Sequence, residues 1–553
     1  MQIPVAELIV RFMERLGIRR IFGLPGSHIL PVYDALRTLS IRTVLAKHEQ
    51  AAAFMAMGHA RATGGIGACI TTAGPGATNL VTAIASAYAD RLPILAITGE
   101  APTHIFGRGG LQESSGEGGS VDQVALFAGI TRYHRLVERT DYLANVLIQA
   151  AKCLLSDTPG PVVLSLPFNV QKESVEATLL DEIAFFRAAR ACPATPEDVR
   201  RSVALLARSR RPMIVAGHGV IRARACATLT RLAQRLHIPV ATSLKAKGAM
   251  DERSPWALGS LGVTSAGHAL RYLKEEADLV LVLGASFNER TSYVWDRGLL
   301  AGKTLIQVDN DTQQLEKVFR ADLAIHADLA AYLEALDHAT HHLPPRETVD
   351  VPAFIAANER RLNASGEAVF DARFEHVRAF FVWLEQKFPQ GLVLFDDNIV
   401  FAQSFYRVSG KDHFHPNTGI SSLGHAIPAA IGAGFALNKP LFALIGDGGF
   451  HMCAMELMTA VHYGIPLNVV LFSNGTMGLI RKNQQHLYGG RFIDCDFPNP
   501  DFALLARAFG IRHSKLASAD DLAHLDELDF QGGINLIEIP VARDAYPNYA
   551  SRR

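Results

Sequence analysis

The sequence has no surplus of charge of either sign: 54 Lys+Arg stand against 54 Asp+Glu in 553 residues. A nucleic-acid binder usually carries a basic excess and a polyanion mimic an acidic one, so no nucleic-acid partner is expected. No apolar run reaches the roughly 18–20 residues that span a bilayer, and no membrane partner is expected either. The opening stretch VAELIVRFMERLG reads as an amphipathic helix and lacks the basic-then-apolar order of a secretory leader. Cysteine is scarce: Cys69, Cys153, Cys192, Cys226, Cys453 and Cys495 are scattered, with no C-x-x-C. That pattern argues against structural zinc and points to reduced thiols in a cytoplasmic protein.

What the chain has in quantity is glycine, 45 residues, and apolar residues, 49%. This is the balance of an α/β globular protein with an ample core. The length suggests three or four domains. A surface of zero net charge favours self-association and hence an oligomer.

Short Val/Ile/Leu-rich runs alternate with helix-length segments along the chain. RRIFG (19–23), RTVLAK (42–47), IGACITT (66–72), PILAIT (93–98) and GPVVLSLPF (160–168) read as strands of a first parallel sheet. PMIVAGHG (212–219), IPVATS (238–243), DLVLVLGAS (278–286) and TLIQVD (304–309) supply a second. LVLFDD (392–397), LFALIG (441–446) and LNVVLFSN (467–474) supply a third, with helices predicted over 374–387, 419–437 and 450–463. Segments 170–196 and 341–352, bearing prolines and few strand signals, read as linkers. The expectation is three doubly wound parallel-sheet domains, over residues 1–170, 190–340 and 360–545.

The densest chemistry lies between Leu441 and Gln485. Asp447 follows one apolar strand directly and Asn474 ends the next, 27 positions later, a spacing that fits one right-handed βαβ crossover. Both polar side chains then stand at the carboxyl ends of neighbouring parallel strands, where open α/β sheets bind ligands. Gly446, Gly448 and Gly449 let backbone approach a ligand closely. A carboxylate, an amide oxygen and a helix N-terminus together describe a Mg²⁺–diphosphate site. On the intervening helix, Met452, Met455, Leu457 and Met458 read as core, and His451 and His462 as surface or packing residues.

GDG followed by a spacer and a strand-end Asn resembles the motif of thiamine-diphosphate (ThDP) enzymes, although Ser473 stands where the usual motif has its first Asn. The resemblance implies that Asp447, Asn474 and the Thr476 backbone oxygen hold Mg²⁺, with the glycines beside the cofactor. LAKHEQAAAFMAMGHARATG (45–64), TTAGPGATNL (71–80) and AYADRLPILAITGE (87–100) resemble the pyrimidine-binding domain of the acetolactate-synthase-like branch. By that resemblance Glu49 is a desolvated catalytic acid that hydrogen-bonds the cofactor's pyrimidine ring. NTGISSLGHAIPAAIGAG (417–434) resembles the segment that props the cofactor in its bent shape, with Leu423 wedged between the two rings and the Ser421 carbonyl accepting from the 4′-amino group. Asn398, in the poorly matching FDDNIV, falls where the family contacts the diphosphate.

His28, in GLPGSHIL, falls on the loop expected to face the reacting ring, and Gln112, in GRGGLQESSGEGG, at a substrate-facing position. Both are candidate catalytic residues; with Leu111, Met477, Ile480 and Gln484 they make the expected substrate pocket. Acetolactate synthases usually have a small residue at the place of His28 and Phe at that of Leu111, whereas benzaldehyde-lyase-like enzymes have His at the first. The resemblance therefore implies a carboligase or decarboxylase acting on small 2-oxo acids or aldehydes, with an acyloin (aldehyde) lyase as the alternative and a non-catalytic paralogue behind it. It also implies a homodimer or homotetramer with active sites between subunits. The middle block resembles the domain that carries FAD or ADP in some members; with only G-x-G at 217–219, FAD is disfavoured and an empty structural domain expected.

Overall fold

Three stretches of chain each close into a six-stranded, all-parallel sheet. The coordinates are a computed structural model that describes residues 1–183, 192–347 and 349–549. The first sheet runs Arg42–Leu45, Arg20–Gly23, Gly67–Thr71, Ile94–Glu100, Val162–Pro167, Tyr133–Leu136. The third runs His413–Pro416, Val393–Asp396, Leu441–Gly446, Leu467–Ser473, Ile534–Pro540, Arg512–Lys515. Counted in their own chain order, both are 2-1-3-4-6-5. The middle sheet runs Ala257–Leu261, Val240–Ser243, Pro212–Ala216, Leu279–Leu283, Thr304–Asp309, Leu323–His326, or 3-2-1-4-5-6, the order of dinucleotide-binding sheets. Central strands such as Leu279–Leu283 (LVLVL) are buried at every position, because helices cover both faces.

The outer units clasp each other through helices Glu49–Thr63 and Ala426–Gly434. Their backbones cross so closely that a Cβ on Gly58 would strike the Ala429 carbonyl, and one on Gly432 the Met55 carbonyl. The three units meet at Asp90, the last residue of helix Val81–Asp90. Its buried carboxylate pairs with Arg61 of the same unit and, at 2.5 Å, with Lys245 of the middle unit. Gly419 of the third unit has no room for a side chain there: its Cβ would lie 2.7 Å from Asp90 Oδ1.

Several local expectations need correction. Six strands of the three large sheets escape the hydropathy pattern; five are sheet edges, such as His413–Pro416 (HFHP) and Arg512–Lys515 (RHSK), where one flank is open and polar residues are tolerated. The 170–196 segment is not merely a linker, because Ser174–Glu176 pairs antiparallel with Gln2–Pro4; its residues 184–191 lie outside the described ones. The other expected linker, 341–352, gives way at Val351 to helix Val351–Ser365. The 419–437 helix starts only at Ala426, because Ser421 and Gly424 both adopt positive φ, 56° and 80°. The 450–463 helix begins earlier, at Asp447, and breaks into Asp447–Cys453, a 3₁₀ turn at Ala454–Glu456, and Leu457–Tyr463. That break rotates Met452 and Met455 outward to 59% and 60% exposure, whereas Leu457 is buried and Met458 half-buried.

Candidate active site

In the third sheet the strand order reverses between Val393–Asp396 and Leu441–Gly446, and the chain leaves both strands at the same end. Such a switch point opens a crevice beyond the strand tips. Asp447, 2% exposed, sits at its floor as the first residue of helix Asp447–Cys453. Its Oδ2 accepts from Asn474 N (2.8 Å), Gly475 N (2.6 Å) and Asn499 Nδ2 (2.8 Å), and its Oδ1 accepts from Gly448 N at 3.0 Å. Asn474 Oδ1 accepts from Thr476 N at 3.1 Å, folding the loop so that Asp447, Asn474 and Thr476 lie together. Segment 495–499 braces this loop: Cys495 O accepts from Met477 N (2.7 Å) and Thr476 Oγ1 (2.8 Å), and Phe497 N donates to Gly475 O (3.0 Å). Met477 packs over Gly448, its sulfur 2.6 Å from where a Cβ would stand, so a side chain at Gly448 would displace Met477.

Across the crevice, Asp397 fastens the turn before helix Ala426–Gly434. It accepts from Gly424 N (2.8 Å) and His425 N (3.1 Å), and Gly449 has no side chain because Asp397 Oδ2 would lie 2.6 Å from its Cβ. Burial, joined for Asp396 by the charge of Asp397, pushes Asp396 up to about 7; burial pushes Asp397 to about 6. Around this turn several buried polar atoms have no partner among the described residues: both side-chain atoms of Asn398, Asn417 Oδ1, Thr418 Oγ1 and Ser422 Oγ. Buried polar groups are normally hydrogen-bonded, so this many at one crevice calls for a polar ligand. Ser421 is exposed and Leu423 half-buried on the same turn.

The first unit presents a second cluster at its own strand tips. His28, buried, has Nδ1 3.2 Å from Gln112 Oε1, which also accepts from Thr72 Oγ1 at 3.4 Å. Glu100, ending Ile94–Glu100, anchors the glycine-rich loop by accepting from Ser114 N (2.8 Å) and Ala101 N (2.7 Å); burial raises it to about 7. Glu113 gathers the rest of the loop from Ser115 Oγ (2.7 Å), Gly107 N (2.6 Å) and Gly110 N (2.8 Å), which hold its carboxyl below the usual range. Leu111 is 72% exposed on this loop. Gln112, Asn398 and Ser421 all hold positive φ, at 55°, 64° and 56°, a conformation that costs a non-glycine residue energy and clusters at functional sites.

Glu49 opens helix Glu49–Thr63 and is half-buried, with Asn79 Nδ2 donating to its Oε2 at 2.8 Å. The backbone N–H groups of Lys47 and His48 donate to Glu456 Oε1 (2.9 and 3.0 Å), docking this turn on the third unit. Among the described residues none of Glu49's hydrogen bonds reaches the Asp447 loop. His28 and Gln112 are thus brought together, as are Asp447, Asn474, Thr476 and Met477, but among the described residues no hydrogen bond joins the two groups within one chain. Ile480 is half-exposed on helix Gly478–Leu487. Gln484 on that helix is otherwise engaged: its amide clasps the Ile493 backbone, Nε2 to O at 2.9 Å and N to Oε1 at 3.1 Å. Asn79, Asp397, Asn417, Glu456 and Asn499 are not singled out by the sequence; all but Asn499 stand within segments whose pattern draws attention.

Three family models match in chain order: the N-terminal TPP binding domain of thiamine pyrophosphate enzymes over residues 3–126, the central domain over 199–336 and the C-terminal TPP binding domain over 398–534. A probable acetolactate synthase large subunit from Methanocaldococcus jannaschii is 32% identical, the match covering 94% of this chain and 88% of that protein. The chain belongs to the thiamine pyrophosphate enzymes, in their acetolactate-synthase-like branch. The acetolactate synthase isozyme 2 large subunit of Escherichia coli is 30% identical over 97% of this chain and 95% of its own length, and the acetolactate synthase large subunit of Lactococcus lactis 29% over 98% and 93%.

This thiamine pyrophosphate enzyme is accordingly a ThDP-dependent, carbon–carbon bond-forming transferase of acetolactate-synthase-like type. Its orphaned polar atoms at the third sheet's crevice suit a cofactor rich in hydrogen-bonding groups. No cluster of three His, Cys, Asp or Glu able to hold a metal occurs among the described residues. The oxygen set at Asp447 is instead one carboxylate, one amide and one carbonyl, which suits a hard cation that keeps phosphate and water ligands. In the middle unit a cavity of about 530 Å³ opens at the sheet's switch point, lined by Asp90, His218, Arg222, Lys245, Gly284 and Asp309 among others. No described helix is long and apolar enough to cross a membrane.

Proposed function

We propose that this enzyme binds ThDP through Mg²⁺ at Asp447, Asn474 and the Thr476 carbonyl, and that it decarboxylates a small 2-oxo acid and joins the retained acyl fragment to a second carbonyl compound. The observation that carries the reading is the Asp447–Asn474–Thr476 oxygen group at a switch point, ringed by unpartnered buried polar atoms. When bound, ThDP supplies a nucleophilic carbon and a sink for the negative charge left at the substrate carbonyl. Asn398 and the N–H groups around Gly446, Gly448 and Gly449 contact the diphosphate; Ser421 and Leu423 fix the cofactor's shape.

The Glu49 carboxylate would hydrogen-bond the cofactor's pyrimidine ring and pass a proton to and from it. Asn79 occupies Oε2 and keeps the carboxylate in one orientation. His28 and Gln112 face the substrate: with Nδ1 donating to Gln112, the His28 Nε2 is left as an acceptor for a substrate hydroxyl or a water. Leu111, Met477 and Ile480 supply apolar wall.

Because none of Glu49's hydrogen bonds among the described residues reaches the Asp447 loop of its own chain, a second copy completes the site. Leu45, Met452 and Met455 are exposed apolar residues on the strand before Glu49, on helix Asp447–Cys453 and on the 3₁₀ turn that follows it. A homodimer buries them and sets the Glu49 of one chain over the Asp447 of the other.

The test is calorimetric uptake of ThDP by dialysed protein with and without Mg²⁺, followed by product analysis with 2-oxo acids and aldehydes. Magnesium-linked binding with CO₂ release from pyruvate and acyloin formation is expected. Absence of magnesium-linked binding overturns the site. Cleavage of benzoin or acetoin without CO₂ release transfers the activity to an acyloin lyase, the reading that His28 favours.

A further inference from the structure

The Asp447 carboxylate is used unevenly. Oδ2 accepts three hydrogen bonds, from Asn474 N, Gly475 N and Asn499 Nδ2, whereas Oδ1 accepts one, from Gly448 N. A carboxylate offers about two lone-pair sites on each oxygen. Oδ2 is therefore saturated, and Oδ1 keeps room for a cation. Two of the three donors on Oδ2 are backbone groups of the metal loop itself. The third is a side chain from another segment, 25 residues beyond Asn474 in the chain.

That segment is built to hold one geometry. Asn499 stands between Pro498 and Pro500, which restrict the backbone on both sides. Upstream, Met477 N and Thr476 Oγ1 donate to Cys495 O, and Phe497 N donates to Gly475 O. Downstream, Asp501 caps helix Phe502–Phe509 by accepting from Leu504 N at 2.9 Å. The amide is thus delivered to Asp447 by a fixed strap. Its other end, Asn499 Oδ1, is buried and has no partner among the described residues.

We infer that Asn499 is a positioning residue that makes Asp447 a one-oxygen ligand through Oδ1 and biases the site toward Mg²⁺ over Ca²⁺, its own Oδ1 accepting from a water on the ion. This rests on the Mg²⁺ site proposed above. Mg²⁺ demands near-octahedral geometry, keeps several waters and takes carboxylates through one oxygen. Ca²⁺ accepts a carboxylate through both oxygens and tolerates irregular geometry. Partners that orient a metal ligand typically contribute 10–100-fold to metal affinity.

The experiment is titration of Mg²⁺ and of Ca²⁺ into ThDP-saturated wild type, Asn499→Leu and Asn499→Ala, read by calorimetry, with the apo-protein melting temperature as control. Mg²⁺ affinity is expected to fall at least about 10-fold in both variants while Ca²⁺ affinity stays within about threefold. Equal weakening of both ions makes Asn499 a plain structural contact and overturns the inference, as does unchanged Mg²⁺ affinity. Wild-type protein supplies a second test: hydrogen exchange across 495–500 should slow more on adding Mg²⁺ than Ca²⁺, and an equal response overturns the inference. Failure of wild type to bind Mg²⁺ at all refutes the proposed site instead, so the two failures are distinguishable.

Discussion

Asp90 Oδ1 and Lys245 Nζ lie 2.5 Å apart across the boundary between the first and middle units, with Arg61 on the other carboxylate oxygen. Burial alone would push Asp90 upward; Lys245 and Arg61 outweigh it and hold the group at about 2. Asp90→Asn leaves two cations facing each other with no counter-charge. Breaking a buried pair in this way costs about 3–5 kcal/mol, so the variant's unfolding midpoint should drop by several degrees. Because the folded pKa lies below that of the unfolded chain, this contribution is present above about pH 4 and lost as pH falls through about 2. A variant that melts with wild type would remove the triad from the forces joining the units.

Glu49→Gln keeps the shape and hydrogen-bonding capacity of the side chain but not its proton affinity. Turnover should fall at least ~10²-fold, the lower range for acid–base assistance. Calorimetric uptake of ThDP and Mg²⁺ should stay near wild type, since the amide keeps a hydrogen-bonding side chain at that position and Asp447, Asn474 and Thr476 are untouched. Near-normal turnover would take Glu49 out of the chemistry.

Glu100 gives a pH signature of opposite sign. Burial raises its carboxyl to about 7, above that of an unfolded glutamate. Its favourable term is therefore complete below about pH 4.5 and is lost as pH rises through 7. Glu100→Gln should flatten that slope, being relatively more stable than wild type at pH 8 than at pH 5. Hydrogen exchange at Ser114, whose N–H it accepts, reports the same change locally; parallel pH profiles for the two proteins would contradict the assignment.

Gly432→Ala places a methyl on the Met55 carbonyl at the helix crossing. Overpacking of this kind costs about 1–3 kcal/mol. Gly129→Ala, at a site with nothing within 4 Å of a Cβ, is the control and should melt with wild type.

His28→Ala separates carboligation from acyloin cleavage. If His28 Nε2 serves a substrate hydroxyl, the ratio of cleavage to carboligation should fall, with cofactor binding unchanged. An unaltered ratio and pH–rate profile would leave His28 a turn residue that only packs.

Much of this was legible before any coordinates. Interior strands such as LVLVL and LFALIG announce themselves because burial on both faces demands an unbroken apolar run. The Asp447–Asn474 spacing places both residues at neighbouring strand tips because a single crossover fixes what stands there. Five of the six edge strands of the large sheets escape, since segments such as HFHP and RHSK satisfy only one neighbour and carry no hydropathy signal. The helix over 419–437 was read too long because positive φ at Ser421 is a property of the folded turn, not of serine. Asn499 was invisible for a related reason: nothing in Pro-Asn-Pro says which carboxylate the amide will meet.

The glycine-to-carbonyl crossing of helices Glu49–Thr63 and Ala426–Gly434 leaves no slack between the outer units. Packing this tight tolerates neither sliding nor hinge-bending, because either motion drives one backbone into the other. The two outer units of one chain are therefore expected to move as one block, with the glycine-rich span that Glu100 and Glu113 hold in place as a separate surface segment.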